Sequence, residues 1–104
     1  MAETFRHPDL PPTHPGAILR EDAIPATGKS KAEIARILGL SRQALYEILN
    51  ERQGITPAVA LRLGKLFGNG PGLWLRLQQS YDLWHAERDL AAELAAIPTL
   101  KAVA

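Results

Sequence analysis

The chain has 104 residues, of which 46% are hydrophobic and 22% are charged, and it contains no cysteine. This length supports one domain with a modest core, and the composition is that of a globular protein and not of a disordered one. The lack of cysteine excludes disulfides and thiolate metal sites, as is usual in a reducing cytoplasm. No apolar run approaches the roughly 20 residues of a membrane span, and the N-terminus is too polar for a signal peptide. We therefore expect a soluble cytoplasmic protein.

The formal net charge of +1 is unevenly distributed along the chain. Residues 28–65 contain seven Lys or Arg and three Asp or Glu, which gives this segment a net charge of +4. The segments on either side are both acidic overall. A concentration of positive charge of this kind is what an anion-binding face requires.

The first 27 residues are predicted to form an arm and one helix. Residues 1–12 contain three prolines and little periodicity, and we predict a flexible N-terminal arm there. Pro15 suits the first position of a helix that runs to about Ala23. Pro25 and Gly28 are expected to end that helix.

The stretch Ser30–Arg52 predicts two short helices that meet at a tight corner. Ser30 and Glu33 have the spacing of a capping box. Gly39 suits the left-handed end of the first helix, and Ser41 is expected to cap the second. Apolar residues recur at helical spacing in both, at Ile34, Ala35, Ile37 and Leu38, and at Ala44, Leu45, Ile48 and Leu49. This arrangement is typical of a helix-turn-helix.

Two further helices are predicted after this motif. Thr56 and Pro57 begin one that runs to Phe67 and stops at Gly68. Gly64 within it costs about 1 kcal/mol relative to alanine unless close packing requires a residue without a side chain. A longer helical pattern runs from about Pro71 to Ile97, with Trp74, Leu77, Tyr81 and Trp84 on the face expected to pack on the domain. No strand pattern is present, so we predict an all-α domain of about five helices over residues 13–97, followed by a tail over 98–104.

The second helix of the motif carries the best candidates for DNA contacts. The major groove admits one helix, whose N-terminal side chains face the base edges. Arginine can bond bidentately to guanine and glutamine to adenine, so Arg42 and Gln43 are the predicted base readers. Tyr46 can reach a thymine methyl group or a phosphate, and the predicted backbone contacts are Lys31, Ser41, Asn50 and Arg52.

The alternative is that these are ordinary solvent-facing side chains of a small helical bundle. Glu47 and Glu51 favour that alternative, because a carboxylate close to phosphates is repulsive. Glu47 would be compatible with DNA if it accepted a bond from a cytosine amino group or paired with a neighbouring arginine.

A second apolar stripe lies beyond the expected core, at Leu83, Leu90, Leu94 and Ile97. Either the end of the helix folds back on its own domain, or the stripe is a dimer interface. A two-fold dimer would place two recognition helices on half-sites about one DNA turn apart.

Other kinds of site are not indicated. Trp74, Tyr81 and Trp84 have the spacing of core residues rather than of a base-stacking surface. The three histidines lack metal-ligand spacing, and no nucleophile–base pair or phosphate-binding glycine loop is present. We expect no catalytic residue, metal or cofactor, and therefore no enzyme.

Several stretches together resemble the HigA-type antitoxins, a branch of the Xre phage-repressor-like proteins. The opening His14–Glu21 (His-Pro-Gly-Ala-Ile-Leu-Arg-Glu) is similar to the start of those proteins, and so is the run from Trp74 to Trp84. Between them lie further matching segments in the same order, namely Leu40–Gln43, Ile48–Asn50, Ile55–Pro57 and Ala60–Leu63.

This resemblance implies a five-helix phage-repressor-like domain with an extended C-terminal helix. It also implies a homodimer that binds double-stranded operator DNA, represses its own operon and neutralises a HigB-type toxin, a ribonuclease that cuts messenger RNA. The matching positions for DNA contacts are Ser41, Arg42, Gln43 and Tyr46, with Lys31, Asn50 and Arg52 on the DNA backbone. Two alternatives remain: a stand-alone repressor without a toxin, and a toxin-binding module that no longer reads DNA.

The chain also departs from the pattern of that family. Glu51 stands where a glycine is usual, at the exit of the second motif helix. Thr27 and Lys29 replace apolar residues, which predicts looser docking of the first helix of the motif. Gly70 and Gly72 replace the usual Ser-Pro-Glu start of the last helix, which predicts a weaker cap there.

Overall fold

The computed structural model describes residues 10–101, and within this range all regular structure is helical. Helix α1 joins α-helical Pro15–Ile18, a π-helical turn Leu19–Ala23 and α-helical Ile24–Thr27. It is followed by α2 (Lys31–Leu38), α3 (Arg42–Leu49), α4 (Pro57–Phe67), α5 (Pro71–Asp89) and α6 (Ala91–Ala96). The all-α prediction is confirmed. Most of the predicted arm over residues 1–12, and the end of the tail beyond residue 101, lie outside the described residues.

Helix α1 continues past the predicted end at Ala23 and stops at Gly28. In an α-helix, the ring of Pro25 would clash with the carbonyl group four residues earlier. The π-helical turn immediately before Pro25 widens the helix, and the Ile24 N–H there bonds to the carbonyl of Leu19, five residues back. The predicted break at Pro25 is therefore wrong, because the wider turn accommodates the proline.

The predicted helix caps are confirmed. The hydroxyl oxygens of Ser30, Ser41 and Thr56 each accept a bond from the backbone N–H three residues later, at 3.1, 3.0 and 3.3 Å. The capping box is only half formed, because the Glu33 carboxylate pairs with Lys29 and Arg36. Helix α5 begins at Pro71, and Gly70 before it provides no side-chain cap, in agreement with the predicted weaker cap.

Helices α1, α2, α3 and α4 and the first half of α5 all contribute buried side chains to one core. Trp74 is 2% exposed, which confirms its assignment to the core. The remaining buried apolar residues are Leu19, Ile24, Ile34, Ala35, Leu38, Leu45, Ile48, Leu49, Ile55, Ala60 and Leu63.

Two residues predicted to face inward are exposed, namely Ile37 on α2 and Ala44 on α3. Successive residues of an α-helix are rotated by about 100°. On that geometry, each of the two lies about 95–105° from the centre of its helix's buried face. They therefore border the core instead of filling it.

The corner between α4 and α5 is very close. A Cβ atom added to Gly64 would lie 2.3 Å from the carbonyl carbon of Gly70. Close packing thus explains why a residue without a side chain stands inside α4.

The predicted single helix from Pro71 to Ile97 is interrupted at Leu90, which has φ −104° and ψ 13°. Residues 86–101 are all exposed, so packing against the described part of the chain does not hold this segment straight. The described residues also leave the predicted stripe uncovered, with exposures of 54% for Leu83, 45% for Leu90, 46% for Leu94 and 64% for Ile97. Within the described range, residues 86–101 do not fold back on the domain.

Within residues 10–101, no helix combines the length and the apolar character needed to cross a bilayer.

Candidate nucleic-acid interface

Helix α3 is held by one face and presents the other to solvent. Leu45, Ile48 and Leu49 are buried, whereas Arg42 and Gln43 are exposed in the first turn. Neither of these two side chains makes a hydrogen bond or ion pair with another residue in the range 10–101, so both are free to bond a ligand. Their backbone is fixed by the Ser41 cap on the Ala44 N–H.

Five of the seven predicted contact residues line three depressions around α3, and Ser41 and Arg52 line none of them. Lys31, Tyr46 and Asn50 line one of them together, where the start of α2 meets the end of α3. Arg42 lines a second, between α2 and α3, with Arg36 on its other side. The third contains Gln43 and Glu47, beside the loop after α3. Arg36 is a further cation on this surface that the sequence reasoning did not identify.

Glu47 and Glu51, the two carboxylates that count against DNA binding, both face an arginine. Glu47 lies 3.9 Å from Arg52, which is the pairing that makes Glu47 compatible with DNA. The Arg52 side chain is 71% exposed, and an exposed pair of this kind contributes little to stability, so Arg52 can exchange its partner for a phosphate. Glu51 lies 3.4 Å from Arg20.

Helix α3 ends in a Schellman motif. The Arg52 N–H bonds to the Glu47 carbonyl at 2.9 Å, and the Glu51 N–H bonds to the Ile48 carbonyl at 3.0 Å. Glu51 occupies the left-handed position of the motif with φ 62°, and it is the only non-glycine residue with positive φ in the described part of the chain. This conformation costs a residue with a side chain about 1–2 kcal/mol. A glycine at this position would avoid that cost.

Helix α1 holds the end of α3. A Cβ atom on Gly16 would lie 1.9 Å from the Ile48 carbonyl oxygen, so only glycine permits this contact. A guanidinium N–H of Arg20 donates to the Leu49 carbonyl. Gly16 and Arg20 of α1 therefore support the C-terminal end of α3.

The start of α1 depends on His14. Its Nδ1 accepts the Gly16 N–H at 2.8 Å, and its ring meets the edge of Tyr81 with centroids 4.7 Å apart. Burial lowers the pKa of His14 below its ordinary value, although the charges of Glu51 and Asp82 partly offset this effect. The neutral ring is the form that can cap the helix, because a protonated Nδ1 has no lone pair to accept the bond.

Two long-range bonds hold the surrounding loops. Arg62 of α4 donates to the Leu38 carbonyl at 2.6 Å, beside the corner between α2 and α3. Gln78 of α5 is buried and accepts the Ile55 N–H at 2.8 Å. Sequence reasoning missed both roles, as it missed those of Gly16 and Arg20, because nothing local to these residues identifies their partners. Among the described residues, no group of three or more His, Asp or Glu side chains is placed to hold a metal ion.

Comparison with known proteins gives a matching family profile and several curated relatives. Residues 19–75 match the profile of a family described as helix-turn-helix. A curated relative is virulence-associated protein I of Dichelobacter nodosus, which is 42% identical over 81 residues, covering 78% of this chain and 75% of the relative.

Solved structures of similar chains include antitoxins bound to DNA. Antitoxin GraA in complex with its operator superimposes with a TM-score of 0.81 at 38% identity, over 89% of this chain and 95% of the other. The Pseudomonas aeruginosa antitoxin HigA with the higBA promoter gives 0.80 at 33% identity, over 86% and 99%.

Proposed function

Because this chain belongs to the Xre-type helix-turn-helix family of antitoxin-like DNA-binding regulators, we propose that it represses its own operon and neutralises a HigB-type ribonuclease toxin. The observation that carries the DNA-binding role is the first turn of α3. That turn presents an arginine and a glutamine without partners in the described chain, on a capped and supported helix, within a segment of net charge +4.

In this proposal the side chains divide into base readers and phosphate contacts. Arg42 and Gln43 contact base edges, and Tyr46 reaches a thymine methyl group or a phosphate. The Ser41 hydroxyl oxygen accepts the Ala44 N–H, so its own O–H remains available to donate to a phosphate. The other phosphate contacts are Lys31, Asn50 and Arg52.

A gel-shift titration with the promoter of its own operon tests the DNA role. We expect the double variant Arg42→Ala and Gln43→Ala to weaken binding at least tenfold, since each bidentate base contact is worth about 1–3 kcal/mol. The matched control is Arg76→Ala with Gln79→Ala, an exposed arginine and glutamine on α5, which should bind like the wild type. Absence of wild-type binding, or equal binding by the two double variants, would contradict the proposal.

The toxin role has its own test. Regulators of this kind are expected beside a short gene for a basic ribonuclease, and we propose that product as the partner in the bacterial cytoplasm. Purified together, the two proteins should form a complex that survives DNase treatment and has no ribonuclease activity. Active ribonuclease in the presence of excess chain would favour a stand-alone repressor.

We also propose that the chain is a homodimer joined through Leu83, Leu90, Leu94 and Ile97. These four apolar side chains are exposed in the described structure, along a segment that has no core of its own. Dimerisation would cover them and would place two α3 helices on one operator.

A further inference from the structure

We propose that Arg20 and Glu51 form a positioning pair that sets the exit turn of α3, residues 50–52, against the DNA backbone. This inference rests on the proposed DNA-binding function. It assigns to Glu51, a carboxylate beside a phosphate-binding surface, a role that strengthens operator binding.

The exit turn carries two of the proposed phosphate contacts. Asn50 and Arg52 directly precede and follow Glu51 in the chain. The left-handed conformation of Glu51 therefore determines the direction in which the backbone leaves Asn50 and enters Arg52. A change in this conformation moves Arg52 relative to Asn50, whose N–H bonds to the Tyr46 carbonyl within α3.

Arg20 ties that turn to α1 at two points. The same guanidinium nitrogen donates to the Leu49 carbonyl and lies 3.4 Å from the Glu51 carboxylate. The Leu49 carbonyl is one of the free groups at the end of α3 that the Schellman bonds do not use. Arg20 thus completes the cap of α3 and also contacts the carboxylate of Glu51, the residue with the left-handed conformation.

The arrangement also partly neutralises Glu51. About a third of each side chain is exposed, 33% for Arg20 and 35% for Glu51, so the pair is shielded on one side by the protein. A glycine at position 51 would adopt the same φ with less strain, but it would leave Arg20 without a carboxylate partner on this turn, and only with that of Glu21 on α1 itself. The backbone strain that a side chain causes at position 51 is consistent with a role for the Glu51 carboxylate.

Two roles of Glu51 are distinguished by whether its substitution tightens or weakens operator binding. If Glu51 only repels phosphates, removing its charge tightens operator binding. If it positions the turn, Glu51→Gly should weaken binding roughly three- to tenfold, within the range of coupled contacts. Its thermal midpoint should stay unchanged or rise, because glycine suits the left-handed position. Glu51→Gln, which keeps the shape and a weaker acceptor, should change affinity in the same direction by less.

A double-variant cycle tests the pairing. Arg20→Gln should weaken binding as Glu51→Gly does, and the two substitutions together should cost no more than the larger single effect. Glu21→Gln is the matched control, because Glu21 also bonds to Arg20, at 3.0 Å, but does not touch the exit turn. It should leave operator affinity unchanged. In the free protein, amide hydrogen exchange at Arg52 should accelerate in Arg20→Gln and Glu51→Gly, and remain slow in Glu21→Gln.

Unchanged or tighter operator binding by Glu51→Gly, or additive losses in the cycle, would overturn the positioning role. Failure of the wild type to bind its operator is a separate result, which rejects the proposed function and with it any role of this pair on DNA.

Discussion

At the scale of single residues, the two glycines at 64 and 72 have opposite surroundings. A Cβ atom at Gly64 meets backbone atoms of Gly70 and Pro71, the nearest at 2.3 Å, and these cannot move without opening the α4–α5 corner. A Cβ atom at Gly72 meets only the far end of the flexible Arg76 side chain, at 2.9 Å.

We therefore expect Gly64→Ala to lower the free energy of unfolding by about 1–3 kcal/mol, as overpacking does. Gly72→Ala should be neutral or up to about 1 kcal/mol more stable, because alanine favours the helix. Urea denaturation of the two variants checks this pair. Equal stabilities would mean that the corner between α4 and α5 relaxes freely.

The range of an interaction along the chain explains which residue roles were predictable. The caps at Ser30, Ser41 and Thr56 act on atoms three residues away, and their sequence signals were sufficient. Arg20 acts on Leu49, 29 residues later, and Gln78 acts on Ile55, 23 residues earlier. Such partners depend on how the helices pack, and no local pattern contains that information. For the same reason, the left-handed backbone of Glu51 and its contact with Arg20 were visible only in the structure.

At the scale of elements, we expect the start of α1 to be sensitive to pH through His14. Burial lowers the pKa of this ring, so the unfolded chain binds a proton more readily than the folded chain does. The stabilisation is present above the ordinary pKa of about 6.5 and is lost as the pH falls from there towards the folded value.

We expect the free energy of unfolding of the wild type to decrease between pH 7.5 and pH 5.5, as measured by urea denaturation. The variant His14→Asn keeps an acceptor suited to a helix cap but does not titrate. Its stability should therefore depend less on pH across this interval. An equal decrease in both proteins would show that other groups cause the pH dependence.

The boundaries of the elements were predicted less well than their existence. Five of the six helix starts agree with the sequence analysis, because capping residues and prolines mark them. The end of α1 and the break at Leu90 do not agree. The first depends on a π-helical turn that accommodates Pro25, and the second occurs where the described chain has no packing to maintain a straight helix.

At the scale of the whole molecule, residues 86–101 extend from the domain with every residue exposed, and three of the four stripe residues lie among them. If they form the dimer interface, Leu90→Ser with Leu94→Ser should convert a dimeric mass to a monomeric one at micromolar concentration. The monomer's stability should change by less than about 0.5 kcal/mol per site, since both residues are already exposed. Operator affinity should fall as the second α3 is lost.

The matched control for this variant is Leu61→Ser, which changes a leucine of α4 that is 61% exposed and lies outside the stripe. It should remain dimeric. Sedimentation equilibrium measures the mass of all three proteins. A monomeric wild type would contradict the homodimer, and a dimeric double variant would place the interface elsewhere.

The π-helical turn of α1 has a consequence for how this helix can change in evolution. Leu19 and Ile24 are five residues apart and both buried, which an α-helix would not allow on one face but a π-helical turn does. Deleting one residue between them would restore α-helical spacing for the core and, at the same time, leave Pro25 to clash with the preceding turn. A lineage that loses this extra residue must therefore also replace its proline, so the length of α1 and the identity of residue 25 are expected to change together.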